Sequence, residues 1–151
     1  MTYPLFSDEY FMNEALKQAK LAMENDEIPV GAVIVSNNQI IARAHNQTEQ
    51  LNDVTAHAEM LAITAAEGYL GSKFLDDCTL FVSLEPCLMC AAAASWARFE
   101  RIVFGARDEK AGFLAYGEKV LHSKTQLKYS VLEQECSELL KNFFAKKRKE
   151  K

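Results

Sequence analysis

A chain of 151 residues is long enough to close one hydrophobic core, and 49% hydrophobic against 25% charged residues is an ordinary globular composition. A net charge of −4 argues against an indiscriminate nucleic-acid binder, and no apolar run reaches the roughly 18 residues of a membrane span. The acidic opening "MTYPLFSDEYFM" has no basic patch followed by an apolar stretch, so no secretory signal and a reducing, cytoplasmic setting are expected.

Residues 7–25 place Phe11, Met12, Ala15, Leu16, Ala19, Ala22 and Met23 on one helical stripe, with Ser7 as N-cap and Asp8 and Glu9 at the positive end of the dipole. Pro29 ends helical propagation, "VGAVIVS" reads as a buried strand, and Asn37-Asn38 supplies a two-residue turn into a second strand, "QIIARAHN". "TAHAEMLAITAAEGY" is a mostly buried helix, expected to be capped near Thr55 and closed near Gly68. "CTLFVSL" is a strand, "PCLMCAAAASWA" a buried helix with Pro86 in its first turn, and "RIVFGA" another strand. The pattern weakens over 107–126, "LKYSVLE" reads as a short fifth strand, and a last helix carries Leu132, Cys136, Leu139, Leu140 and Phe143 at helical spacing. With no repeat and no linker, residues 1–151 read as a single domain. Strands alternating with helices predict α/β layers, a mixed five-stranded sheet covered on both faces.

Charge is unevenly placed. Residues 141–151, "KNFFAKKRKEK", carry a local +5, which leaves −9 on the remainder. Taken alone, such a run is a solvated helix end; on an acidic body it is also a place where a polyanion can bind locally.

The chain has four cysteines, and "SLEPCLMC" sets two of them, Cys87 and Cys90, three apart at a helix start. In a reducing compartment such a pair more often binds metal or does redox chemistry than forms a structural disulfide. The dipole and unpaired N–H groups of the first turn favour thiolates, the form that binds metal. A second Cys-x-x-Cys is missing, and Cys78 on a strand and Cys136 on an apolar stripe read as small core hydrophobes, which argues against a four-cysteine structural site. His45 and His122 read as ordinary caps or satisfied core residues. His57 differs, because "TAHAEM" opens a helix of its own. Helix starts of this kind converge on a crevice at one end of an open α/β sheet. His57, Cys87 and Cys90 are then three zinc ligands with a fourth tetrahedral position left for water, the pattern of a catalytic zinc. Glu59, a solitary carboxylate in an apolar segment and two residues from a ligand, suits proton transfer.

His-x-Glu followed by Pro-Cys-x-x-Cys resembles the signature of zinc nucleobase deaminases. Together with "EIPVGAVIV", "HNQT", "RIVFGARDEK" and "ECSELLKNFFAKKRK", in order across nearly the whole length, it makes the chain similar to the cytidine-deaminase superfamily, most closely to its tRNA-specific adenosine deaminases. That resemblance implies a cytidine-deaminase-like three-layer α-β-α sandwich, one Zn²⁺ on His57, Cys87 and Cys90, and Glu59 as proton shuttle. It implies attack of activated water on C6 of adenine at the wobble position (34) of tRNA, giving inosine and ammonia. Asn46 would hydrogen-bond the purine, and Val30 with its neighbours would wall the base. Lys146, Lys147 and Arg148 would meet the tRNA anticodon stem-loop beside Phe143 or Phe144, and the protein would be a homodimer. Residues 112–130 depart from the family pattern, so no RNA contact is carried over there. A guanine or cytosine deaminase acting on free bases or nucleosides shares the same zinc chemistry and is the alternative enzyme; a non-catalytic zinc-stabilised RNA-binding module is the alternative of another class.

Overall fold

The computed structural model describes residues 2–150. Four helices and five strands are laid out as α1 (Asp8–Glu24), β1 (Gly31–Ser36), β2 (Gln39–His45), α2 (Ala58–Leu70), β3 (Cys78–Leu84), α3 (Leu88–Ala97), β4 (Arg101–Ala106), β5 (Gln126–Lys128) and α4 (Glu133–Lys149). The sheet order is β2-β1-β3-β4-β5. β1 runs antiparallel to both β2 and β3, whereas β3, β4 and β5 are parallel, so the sheet is mixed as expected.

One face carries α1 and α4, packed through Phe11, Met12, Leu16 and Cys136 onto Val33, Phe81 and Val103. The other carries α2 and α3, whose Ala62, Ala66, Ala91 and Ala94 lie on Ala32, Leu80 and Ile102. The central strands are covered on both sides, which explains why β1 is buried at all six positions and reads as a continuous apolar run. Small residues let helix and sheet approach closely: a Cβ at Gly31 would collide with the backbone of Ala15 and Ala19 in α1. Each large side chain sealed in these layers contributes about 1.5–3 kcal/mol.

Local chemistry set the element ends. Ser7 caps α1 by accepting from the Tyr10 N–H at 3.1 Å. Asn37 and Asn38 both have positive φ, 51° and 61°, the backbone of a tight hairpin turn matched to strand twist. Three boundaries differ from the sequence reading. Thr55 belongs to a turn held by Asp53, whose carboxylate accepts from the Thr55 N–H at 2.8 Å and hydroxyl at 2.7 Å, so α2 starts later with His57 as N-cap. Gly68 is interior, and the left-handed residue that closes α2 is Gly71 (φ 66°). Pro86 precedes the cap of α3 instead of occupying its first turn, because Cys87 itself is extended and forms the cap. The fifth strand is also shorter than "LKYSVLE": positive φ at Ser130 and Leu132 (66° and 54°) turns the chain out of the sheet. Among the described residues no helix is long and apolar enough to cross a membrane.

Candidate metal centre and base pocket

β2, β3 and β4 end, and β1 begins, at one end of the sheet, and there the N-termini of α2 and α3 meet. His57 is the N-cap of α2, Cys87 the N-cap of α3, and Cys90 stands three residues on. The His57 side chain makes no capping bond to α2, which leaves its imidazole free for another partner. Their donor atoms gather within 4.8 Å of one another. His57 Nδ1 lies 3.6 Å from Cys87 Sγ and 3.4 Å from Cys90 Sγ. Two ligands at about 2.3 and 2.0 Å from a tetrahedral zinc stand roughly 3.5 Å apart. The spacing is therefore that of ligands around one zinc ion, and the soft donor set fits it.

Electrostatics point the same way. Hydrogen bonding from the Cys90 thiol, joined by His57, outweighs burial and holds Cys87 down at about 4, a thiolate at neutral pH. Bonding to Cys87 and then burial push the Cys90 thiol up, so the pair shares a proton that metal binding releases. The Cys87 bond raises His57 above its ordinary value against the effect of burial. Glu59 in the first turn of α2 is 4% exposed, and burial pushes its carboxyl up to about 7. Cys78 and Cys136 lie buried in the two cores, where burial pushes each thiol up to about 12, in keeping with their reading as inert hydrophobes. His122 Nδ1 accepts from the Lys124 N–H of its own loop at 3.2 Å.

A cavity of about 180 Å³ opens onto the centre. This is below the roughly 300–1,000 Å³ of drug-sized ligand sites and admits one heterocycle rather than a whole nucleotide. Ile28, Val30 and Leu84 give it apolar walls, and Asn46, Glu59, Cys87 and Asp108 converge polar groups on it. Asn46, 6% exposed, is fixed in place: its amide donates to Ile28 O at 3.3 Å and its Oδ1 accepts from the Thr48 N–H at 3.3 Å.

Two further buried glutamates escape a reading of the sequence. Glu85, between β3 and α3, accepts from Arg107 Nε at 3.1 Å, Asp108 N at 3.0 Å and Leu114 N at 3.0 Å, and so ties the wall that follows β4. Gly112 must be glycine there, since a Cβ would strike the Glu85 carboxylate. Glu27 lies in the loop before β1. The Glu in "LEPC" and the Glu in "EIPVG" each precede a proline at a loop, a signal too common to single them out.

The basic end of α4 divides. Lys146 and Arg148 are exposed, whereas Lys147 pairs with Asp26 at 2.7 Å and lies 5.6 Å from the Phe143 ring centre. Phe143 is buried and Phe144 faces outward at 42% exposure. Ile28, Thr48, Gln50, Phe144 and Lys147 line an outer groove of about 740 Å³, and Ile28 belongs to the inner cavity as well.

Residues 6–106 match the family described as "Cytidine and deoxycytidylate deaminase zinc-binding region". The tRNA-specific adenosine deaminase of Aquifex aeolicus is 48% identical over 145 residues, covering 93% of this chain and 95% of the relative. That of Bacillus subtilis is 47% identical over 150 residues, covering 95% and 92%. A solved structure from studies of A-to-I editing by tRNA:A34 deaminases at the wobble position of transfer RNA superposes with a TM-score of 0.82 at 43% identity, over 87% of this chain and 99% of that one. The guanine deaminase of Bacillus subtilis superposes at 0.64 with 42% identity over 67% of this chain and 65% of its own. With ligand spacing, layer order and sequence in agreement, the chain belongs to the cytidine and deoxycytidylate deaminase family.

Proposed function

We propose that this chain is a zinc-dependent hydrolytic deaminase that converts adenosine at the wobble position (34) of tRNA to inosine. The observation that carries the reading is one imidazole and two thiols at zinc-ligand spacing, beside a buried carboxylate and a cavity the size of one base. The substrate choice is supported by relatives 47–48% identical over more than nine-tenths of the chain that are named tRNA-specific adenosine deaminases and, for position 34, by the 43% identical structure from studies of tRNA:A34 deaminases.

His57, Cys87 and Cys90 would hold the zinc, which supplies Lewis-acid activation of a water molecule. Glu59 accepts a proton at a carboxylate oxygen and returns one to the exocyclic nitrogen, so that the new C6–O bond forms and the C6–N bond breaks with loss of ammonia. Burial suits Glu59 to that exchange, because its carboxyl then gains and loses a proton near neutrality. Asn46 orients the purine by hydrogen bonding, while Ile28, Val30 and Leu84 exclude water from its faces. Only a base swung out of its stack enters so small a cavity, which favours the unstacked loop of an RNA over a duplex.

Outside the cavity, Lys146 and Arg148 approach phosphate, and Phe144 offers a stacking face beside the outer groove. Lys147 acts differently, anchoring α4 to the loop that carries Ile28. A second copy of the chain is the partner for α3: Met89, Ala92, Ala93 and Trp96 form a stripe along its outer side, with Trp96 82% exposed. Residues 1–151 act as one catalytic domain, and four unpaired cysteines suit a cytoplasmic setting.

Zinc-loaded protein is assayed for ammonia and inosine on an A34 anticodon stem-loop, beside free adenosine, guanine and cytosine. Inosine in the RNA with negligible free-base turnover is expected. Turnover of a free base with no inosine in the RNA overturns the substrate choice.

A further inference from the structure

Glu27 is among the most enclosed side chains of the molecule, 1% exposed. It has no cationic partner among the described residues. Its carboxylate is satisfied by a single turn instead: Oε1 accepts from Glu49 N at 3.0 Å and Thr48 Oγ1 at 3.5 Å, and Oε2 from Gln50 N at 2.7 Å. Burying a carboxylate without a cation is costly unless hydrogen bonds answer it, and here the donors of the 48–50 turn do so.

The held segment leads to the base pocket. Thr48 gives its hydroxyl to Glu27 and its N–H to Asn46 Oδ1, the latter at 3.3 Å. Asn46 reaches back across the same gap, its side chain donating to Ile28 O at 3.3 Å and its N–H to Val30 O at 3.0 Å. The loop before β1 and the loop after β2 are thus stitched from both sides, and their shared members wall the cavity.

We propose that Glu27 is a positioning residue for the base pocket: its carboxylate clasps the turn at 48–50 and, through Thr48, holds Asn46 and Ile28 at the spacing a base requires. The proposal rests on the reading of Asn46 as a purine contact. Glu27 lines the outer groove and not the zinc cavity, so its role is separate from metal binding. The carboxylate, not its shape, is what matters. In Glu27→Gln an amide donor replaces one acceptor and meets a backbone N–H head on.

The test is steady-state kinetics on the A34 stem-loop with zinc-loaded wild type, Glu27→Gln, Asn46→Ala and the double variant. Glu27→Gln is expected to raise KM roughly tenfold with kcat within about threefold of wild type, the pattern of lost substrate binding, at full zinc content. In the Asn46→Ala background the same change should cost less than about twofold, because the two residues act on one contact. Should Glu27→Gln fail to fold, Glu27→Asp, which keeps the charge one methylene short, carries the same expectation with a smaller rise. Equal losses in both backgrounds, or an unchanged KM, overturn the clasp. Absence of inosine from wild type contradicts the functional reading and the clasp with it, whereas wild-type turnover with an unaffected Glu27 variant contradicts the clasp alone.

Discussion

Glu59 and Glu85 border the same cavity and are equally enclosed, 4% and 3% exposed, yet they are held in opposite ways. Glu85 is met by three donors, two backbone N–H groups and the Arg107 guanidinium, so every need of its charge is answered and it stays where it is. Glu59 has its own backbone N–H and the Cys90 thiol as hydrogen-bond partners, and burial dominates its environment. A carboxylate tied down by backbone N–H groups and a guanidinium builds a wall; one whose environment is dominated by burial, beside a metal cluster, is suited to trade a proton.

The centre is the first place to break that contrast. Cys87→Ala removes a ligand from both the thiol pair and the histidine contact; zinc by elemental analysis should fall from one per chain toward none, and inosine formation with it. Retained stoichiometric zinc would mean that the cluster is not the site. Glu85→Gln tests the wall. It sets an amide donor among three donors and should cost about 1–3 kcal/mol, or roughly 2–4 °C of Tm per kcal/mol by calorimetry. Zinc content should hold while kcat/KM falls about tenfold as the Asp108 side of the cavity loosens. Farthest from the chemistry, the double variant Lys146→Ala, Arg148→Ala should leave kcat unchanged and weaken stem-loop binding several-fold. The slope of log Kd against log salt should flatten by about 1.4, since each single-strand phosphate contact contributes roughly 0.7. An unaltered slope would place the RNA elsewhere.

The centre is legible in the sequence and its walls are not, for a physical reason. Metal ligands are side chains of a few special types, so Cys87 and Cys90 at helical spacing, joined to His57 by the expectation that helix starts meet at one end of the sheet, could be picked out from the sequence. Glu27 and Glu85 find their partners in backbone N–H groups 22 to 29 residues away, and a backbone group has no sequence signature. The same blindness moved the caps. Extended backbone at His57 and Cys87, which frees both side chains for metal, arises from the turn at Asp53 and from the chain's passage out of β3, and neither is a propensity of the residues concerned. At α4 the run of like charges conceals a division of labour, because only packing shows that Lys147 is spent on Asp26.

Zinc-loaded Glu59→Gln assayed on the A34 stem-loop is the most direct measurement of whether that buried carboxylate does chemistry. Full zinc content and wild-type RNA affinity should accompany a fall in kcat of roughly 10²–10⁴-fold, the usual weight of a positioned proton-transfer group. Inosine formation at the wild-type rate with zinc in place would contradict the account and leave a zinc-stabilised RNA-binding module in its stead.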